Sequence, residues 1–319
     1  MNSRATKKIY HMARPKICVV GACNLDLISY VPRLPRKGET LHGTHFHMGF
    51  GGKGANQAVM AAKLGGDVSM VTKLGNDVFG ENILENFKFC GVNTQHVHFT
   101  EKAFSGVALI AVDPEGHNAI IIVMGANDLL TRDEMEAARP TIAVSDILVC
   151  QLEIPLEITM DALRIAQEEN VKTIFNPAPA RPDLPEDIYN LSDIFCPNES
   201  ETELLTDMKV GTMEEAEKAA RILLERGAGT VILTLGEQGS LLVTKNKADH
   251  VPAESVKAID TTGAGDAFIG SLAFFIASGR TLSEAIKTAN RIAAISVQSV
   301  GAQTSFPEAK DLPSDMFDI

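Results

Sequence analysis

Lys16-Ile17-Cys18-Val19-Val20-Gly21 is a continuous apolar run closed by glycine. A strand with one wet face alternates, so a run that is apolar throughout predicts a strand covered on both faces, as at the centre of an α/β sheet. Outward from it, helical and extended periods alternate: residues 55–64 helical, 68–74 extended, 79–90 helical, 146–151 extended and 156–169 helical. Short apolar strands are expected at 171–176, 194–196 and 230–235, and Thr212-Met213-Glu214-Glu215 is a capping-box pattern opening a helix through Leu224. Such alternation requires right-handed crossovers and a mostly parallel sheet.

Two stretches, 28–49 and 104–125, break the rhythm. They carry turn residues (Pro32, Pro35, Gly38; Pro114, Gly116) and alternate in the manner of antiparallel strands, which predicts an inserted minor sheet. Both flank the glycine-rich run at 49–54, so the sheet is expected to act as a lid over the carboxyl ends of the main strands. A hairpin pair that only covers a sheet edge is the alternative.

Composition narrows the function classes. In 319 residues there are 29 basic and 41 acidic side chains, a net charge of −12, with no basic patch in the body, which argues against nucleic-acid or anionic-membrane partners. Cys18, Cys23, Cys90, Cys150 and Cys196 are odd in number and widely spaced, the pattern of reduced thiols in a cytoplasmic protein, with the nucleus left open. His45/His47 and His96/His98 are expected at solvated strand positions. Residues 1–15 form a basic segment, expected to be a disordered tail with an organelle leader as the alternative, and no apolar run is long enough to span a bilayer.

The chemistry concentrates in Asp260-Thr261-Thr262-Gly263-Ala264-Gly265-Asp266, which runs straight into an apolar helical segment at 267–277. Small residues before a helix leave its first N–H groups uncovered, and those donors with the helix dipole form a site for a phosphate. Asp266 falls in the first turn, placed to take a proton from an attacking hydroxyl, an arrangement suited to phosphoryl transfer. A plain cap is the competing role, weakened by the second carboxylate at Asp260.

Gly49-Phe50-Gly51-Gly52-Lys53-Gly54-Ala55-Asn56-Gln57 contains a formal GxGxxG, but the preceding Thr44–Met48 alternates where a dinucleotide fingerprint needs a buried strand. It is no P-loop either, since Lys53 precedes Gly54. What remains is a flexible backbone entering a helix that presents Lys53 and Asn56, suited to close approach of a polyhydroxyl ligand. Asn24 and Asp26 share one face near the first strand's end, and an amide beside a carboxylate can grip vicinal hydroxyls, or cap a turn. Glu153, two residues before Pro155, which is expected in the first turn of the next helix, is read as a ligand contact or a helix-dipole partner. Glu201 either caps its helix or holds water on a magnesium ion. Thr234-Leu235-Gly236-Glu237-Gln238-Gly239 reads as strand, turn, strand, with glycines that admit a nucleotide or make the hairpin.

The two glycine motifs, 51–58 and 260–266, together with Asn198-Glu199-Ser200-Glu201, resemble the ribokinase-type carbohydrate kinase family over residues 16–313. The resemblance implies a three-layer α/β/α fold with a β-sheet lid in one kinase domain at 16–319, and a homodimer joined through the lids. It implies ATP-dependent phosphorylation of D-ribose at its 5-hydroxyl, giving ribose 5-phosphate and ADP. It places Asn24, Asp26, Gly52, Lys53, Asn56 and Glu153 around the sugar, with Asp266 as general base. Asn198, Thr234, Gly236, Glu237, Gln238, Gly239, Gly263, Ala264, Gly265 and Asn290 line the ATP site in this reading. Asp260, Thr262, Ser296, Ser299, Gly301 and Ser305 correspond to an activating potassium site, and Glu201 to magnesium held through water. A kinase for deoxyribose, fructose or adenosine, or a silent sugar- or nucleotide-binding regulator, are the alternatives; a nicotinamide oxidoreductase is more distant.

Overall fold

A computed structural model of the chain describes residues 14–317. Most of the basic segment at 1–15 therefore lies outside the described residues. Its last two positions belong to the fold: Arg14 Nε donates to the Gly65 carbonyl at 3.0 Å, and Asp67 N to the Pro15 carbonyl at 2.8 Å.

The chain begins β1 (Lys16–Val20), β2 (Asn24–Tyr30), β3 (His45–Gly51), α1 (Lys53–Lys63), β4 (Asp67–Gly75), α2 (Val78–Phe89) and β5 (Asn93–Thr100). It continues through β6 (Gly106–Val112), β7 (Asn118–Val123), α3 (Arg132–Ala137), α4 (Arg139–Ala143), β8 (Ile147–Cys150), α5 (Leu156–Glu168) and β9 (Lys172–Phe175). Then come α6 (Asp187–Asn190), β10 (Ile194–Phe195), α7 (Glu199–Thr206), α8 (Met213–Glu225) and β11 (Thr230–Thr234). The last elements are β12 (Ser240–Val243), β13 (Ala248–Val251), α9 (Ala264–Ala277) and α10 (Leu282–Ser296).

Nine strands form the main sheet in the order β13-β12-β11-β10-β9-β8-β1-β4-β5, parallel except where β12 and β13 turn back. β1 lies between β8 and β4, and its apolar run is buried from Ile17 to Val20 because helices cover both faces. One face packs on α1, α2, α9 and α10 through side chains such as Met60, Phe87, Phe275 and Ile292; the other packs on α3 to α8 through Met135, Leu163 and Leu223. The winding direction reverses between β1 and β8, which opens a crevice at the carboxyl ends of those two strands.

The minor sheet has the order β3-β2-β6-β7 and reaches beyond the expected stretches, beginning at Asn24 and including Gly51. It is mixed rather than antiparallel: β2 and β6 run parallel in register from Asn24↔Gly106 to Tyr30↔Val112. The sequence between them is long enough to leave the minor sheet, build α1, β4, α2 and β5, and return. The chain leaves β1 at Gly21 and starts a new strand at Asn24, so Asn24 and Asp26 belong to the lid and not to the end of the first strand.

Other local expectations are corrected. Thr212 accepts from Glu215 N as a cap, but Glu215 reaches back to Gly211 N, so the reciprocal half of the box is absent. Pro155 is the cap of α5 with extended ψ, one residue before the first turn. His96 and His98 are not solvated: Nε2 of His96 lies 2.8 Å from Thr141 Oγ1, His98 lies 3.9 Å from Glu134, and burial pushes both imidazoles down. Cys18, Cys23, Cys150 and Cys196 are free and buried, with burial pushing Cys18 and Cys23 up to about 12. Among the described residues no helix is long and apolar enough to cross a membrane.

Candidate active site

Beside the reversal point, at the carboxyl ends of β9 to β11, lies a cavity of about 230 Å³, walled by Lys53, Asn176, Asn198, Glu201, Thr234, Gly263 and Asp266 among others. Three helices point their amino termini at it. α1 enters through Gly52, α7 through Asn198 and α9 through Gly263, and their dipoles together favour negative charge in the space between them.

α9 is apolar nearly all round, because it is buried between α1 and α10. Its cap is Gly263 at φ 77°, and no side chain caps the first turn, so amides of that turn face the cavity. Ala302 explains the glycine a second way: a Cβ on Gly263 would lie 2.9 Å from its side chain. Asp266 sits in the first turn and is buried, yet it caps nothing. Its Oδ2 accepts from Asn56 Nδ2 and its Oδ1 from Gln57 Nε2, both at 2.9 Å. The contact depends on a close crossing of α1 and α9, since a Cβ on Gly270 would meet the Gln57 carbonyl at 2.5 Å. Each Asp266 oxygen keeps a further lone pair for an incoming hydroxyl.

The glycines around Lys53 serve backbone packing. A Cβ on Gly54 would lie 2.7 Å from the Gly21 carbonyl carbon, one on Gly52 2.7 Å from the Ala22 carbonyl oxygen, and one on Gly51 within 2.4 Å of the Asp26 carboxylate. The start of α1 is thus pressed against the β1–β2 junction, with the Asp26 carboxylate of the minor sheet against Gly51; neither Asn24 nor Asp26 is on the cavity wall. Glu153 accepts from Lys53 N at 2.8 Å, so it pairs with the dipole of α1 rather than that of the helix that follows it. Asn24 Oδ1 accepts from Asn127 Nδ2 at 3.0 Å.

Glu201, Asp266 and Lys53 line the cavity, and Asp26 and Glu153, off its wall, act on the same group of charges. Burial, with Glu153 and Asp266 adding like charge, pushes Asp26 up to about 7. Burial likewise raises Glu153 and Glu201. Burial would lower Lys53, but Asp266, Glu153 and Glu201 around it hold it above the ordinary lysine value. The region is poised to gain from added positive charge.

On the α7 side, Asn198 and Glu201 make a full capping box: Asn198 Oδ1 accepts from Glu201 N at 2.8 Å and Glu201 Oε2 from Asn198 N at 2.8 Å. Glu201 is nonetheless on the cavity wall. Asp260 accepts from Thr262 N and Gly301 N at 2.9 and 2.8 Å, and Asp260 N donates to Val297 O, which brings the residues around 260 and 297–305 together. Ser296 and Ser305 donate their hydroxyls to Ala293 O and Ala302 O, leaving oxygen lone pairs free.

Not every expected residue reaches the cavity wall. Gly236, Glu237 and Gln238 form an exposed turn beyond Thr234, and Gly239 is a packing position, its Cβ site 2.3 Å from Val251 O. Asn290 is buried behind the wall and spends its amide on Ser240 Oγ and Val251 O at 2.8 and 2.9 Å. Conversely, the buried amides of Gln57, Gln151 and Asn176 bond to one another, and that of Gln303 bonds to Asn56; no sequence expectation named these supports of Asp266. For Gln57 the signal was its place beside Asn56; for Gln303 no local pattern existed.

Comparison with known proteins agrees with this geometry. The pattern of the pfkB family of carbohydrate kinases matches residues 14–309. A ribokinase of Mus musculus is 48% identical over 305 residues, covering 94% of each chain. A deoxyribokinase of Salmonella typhi is 41% identical, covering 91% of this chain and 95% of its own. A solved structure of Arabidopsis thaliana ribokinase complexed with ribose and ATP superposes with a TM-score of 0.87 at 31% identity, covering 93% of this chain and 97% of that one.

Proposed function

The chain belongs to the pfkB family of carbohydrate kinases, and from that premise we propose that it transfers the γ-phosphoryl group of ATP to the 5-hydroxyl of D-ribose, giving ribose 5-phosphate and ADP. The observation that carries the reading is a buried carboxylate, Asp266, held by two amides at the mouth of an uncapped helix terminus.

In this reading the sugar lies under the lid, its hydroxyls gripped by Asn24, Asp26, Asn56 and Glu153, with Gly52 and Lys53 beside it. The 5-hydroxyl donates to Asp266, which takes its proton as the oxygen attacks the γ-phosphorus and the bond to the β-phosphate oxygen breaks. Amides of Gly263, Gly265 and Asp266 hold the phosphoryl oxygens as charge moves onto ADP, whereas the Ala264 amide, expected among them, donates to Thr261 O at 3.2 Å. The nucleotide extends along Asn198, Thr234 and the 236–239 turn. Closure of the minor sheet excludes water, which otherwise competes as acceptor.

Glu201 suits magnesium: a buried carboxylate on the cavity wall matches an ion that keeps most of its waters. Asp260, with Thr262, Ser296, Ser299, Gly301 and Ser305, supplies an all-oxygen set that suits potassium, and its hydroxyls retain lone pairs. Either ion would add positive charge where carboxylates crowd. A homodimer joined through the lids is supported by β7, whose apolar residues are all exposed in the single chain.

Purified protein with MgATP, potassium and ribose, 2-deoxyribose, fructose or adenosine tests the assignment. Ribose is expected to give the highest kcat/KM for ADP formation, with 2-deoxyribose the informative competitor because of the deoxyribokinase relative. ATP turnover indifferent to every added acceptor would refute the reading.

A further inference from the structure

The Asn56 bond to Asp266 is the last link of a longer chain. Gln303 Nε2 donates to Asn56 Oδ1 at 3.0 Å, and Asn86 Nδ2 donates to Gln303 Oε1 at 2.8 Å. Behind them the Cys90 thiol lies 3.9 Å from Asn86 Oδ1. An ionised carboxylate only accepts, so Asp266 sets the polarity of every amide in the series. A carboxamide turned over anywhere along it would put oxygen against oxygen or nitrogen against nitrogen.

Gln303 is well placed to hold this order. It belongs to the turn after α10, which is anchored without its side chain: Lys63 Nζ donates to the Gln303 and Phe306 carbonyls at 2.8 and 2.9 Å, and Gly301 N to Asp260 at 2.8 Å. The same turn carries Ala302, which backs Gly263 at the head of α9. One short segment therefore touches both the glycine cradle and the amide that faces the Asp266 carboxylate. Position 303 needs a planar group with a donor on one side and an acceptor on the other, which glutamine supplies and glutamate or methionine does not.

We propose that Gln303 is a positioning residue for phosphoryl transfer: it fixes the Asn56 amide, and through it the Asp266 carboxylate, relative to the cradle that holds the phosphoryl group. The inference rests on Asp266 as the group that takes the sugar's proton. A methionine at this position releases Asn56, whereas an ionised glutamate attracts Asn56 Nδ2 and draws it away from Asp266. The glutamate still accepts from Asn86, but it also places a charge where the glutamine is buried.

The test uses the full chain and the variants Gln303→Met and Gln303→Glu, assayed at about pH 8 with MgATP, potassium and ribose, alongside melting temperatures. Gln303→Met is expected to lower kcat roughly 5- to 10-fold and Gln303→Glu roughly 50-fold or more, with KM for ATP within about two-fold of the parent. A fall in kcat larger for Gln303→Glu than for Gln303→Met, with KM for ATP held and the assay run below both melting temperatures, is a split that a merely structural role does not produce. Asn86→Asp, one link behind, is expected to lower kcat about 3-fold or more and serves if position 303 tolerates no change. Equal losses of kcat in the two position-303 variants, a rise in KM for ATP that matches the fall in kcat, or turnover near the parent's for both Gln303→Glu and Asn86→Asp, would overturn the inference. An inactive parent would instead remove the proposed function beneath it.

Discussion

The floor of the crevice and the sheet above it are built on opposite principles. On the floor, Asn56, Gln57, Asn176 and Asp266 are buried, and each bonds to another side chain of the group. In the sheet above, Ile120, Ile121, Ile122 and Val123 are 48–64% exposed on one edge strand, and Phe46 and Met48 stand out from β3 at the opposite edge. The floor is complete in a single chain; the lid is incomplete until something covers it. Groups that take part in bond making need a fixed geometry before the substrate arrives, and groups that admit and enclose the substrate need an alternative state. The division predicts that floor substitutions act on kcat, lid substitutions on assembly and enclosure, and the strand joining the two on sugar binding.

Asp266→Asn is expected to have the largest effect: turnover falls roughly 100-fold or more, while calorimetry finds ribose and ATP affinities nearly unchanged. A variant that binds neither ligand would show that the floor binds as well as reacts, and would blur the comparison. Gly270→Ala attacks the same floor from behind. Its Cβ meets the Gln57 carbonyl, so α1 and α9 must part, with an expected loss of about 1–3 kcal/mol by denaturant titration and a fall in kcat without a matching change in KM for ATP.

Asp26 joins the two regions, standing on the lid strand with its carboxylate beside Gly51. Asp26→Asn is expected to weaken ribose binding roughly 10-fold or more, since a carboxylate accepting from two hydroxyls is lost. Its effect on stability has the opposite direction. The folded value of about 7 stands above the ordinary 3.8, so the group takes up a proton on folding. Its stabilisation is full below the unfolded value and is lost as pH rises through about 7. Asp26→Asn should therefore raise the melting temperature at about pH 8 and less so at about pH 5, by thermal scans at both. Equal shifts at the two pH values would contradict a raised Asp26.

The smallest effect on the single chain is expected from Ile121→Asp on β7. Light scattering should find the parent a dimer and the variant a monomer, with a change in melting temperature attributable to lost assembly alone. A variant that stays dimeric would move the interface off this strand.

Much of the floor was legible because its signals are local. A fully apolar run predicts a strand covered on both faces, and β1 is that strand; a glycine run before an apolar helix predicts an uncapped terminus, and α9 has one. The lid was legible as strands, from proline and glycine punctuation and alternation, but not as a mixed sheet. The parallel pairing of β2 with β6 joins residues about eighty positions apart, and no local period encodes it. The histidines of β5 were misread for a related reason: alternation gives the face, but α3 and α4 decide that the face is covered. The amide network shows the same limit more sharply. Gln303 reaches Asn56 across 247 positions, and an isolated glutamine in a polar turn carries no trace of that contact. The glycines of 51–54 were visible, while their partner, the backbone at 21–24, was not.

In the proposed reaction Asp266 and the amides at the head of α9 meet over the acceptor's primary hydroxyl. The most direct measurement is a structure of the full chain with ribose and a non-hydrolysable ATP analogue. The predicted result is a ribose 5-hydroxyl about 2.6–3.2 Å from an Asp266 oxygen, with the terminal phosphoryl group on the amides of Gly263, Gly265 and Asp266. A sugar whose 5-hydroxyl lies out of reach of Asp266, or a terminal phosphoryl group held away from those amides, would contradict it.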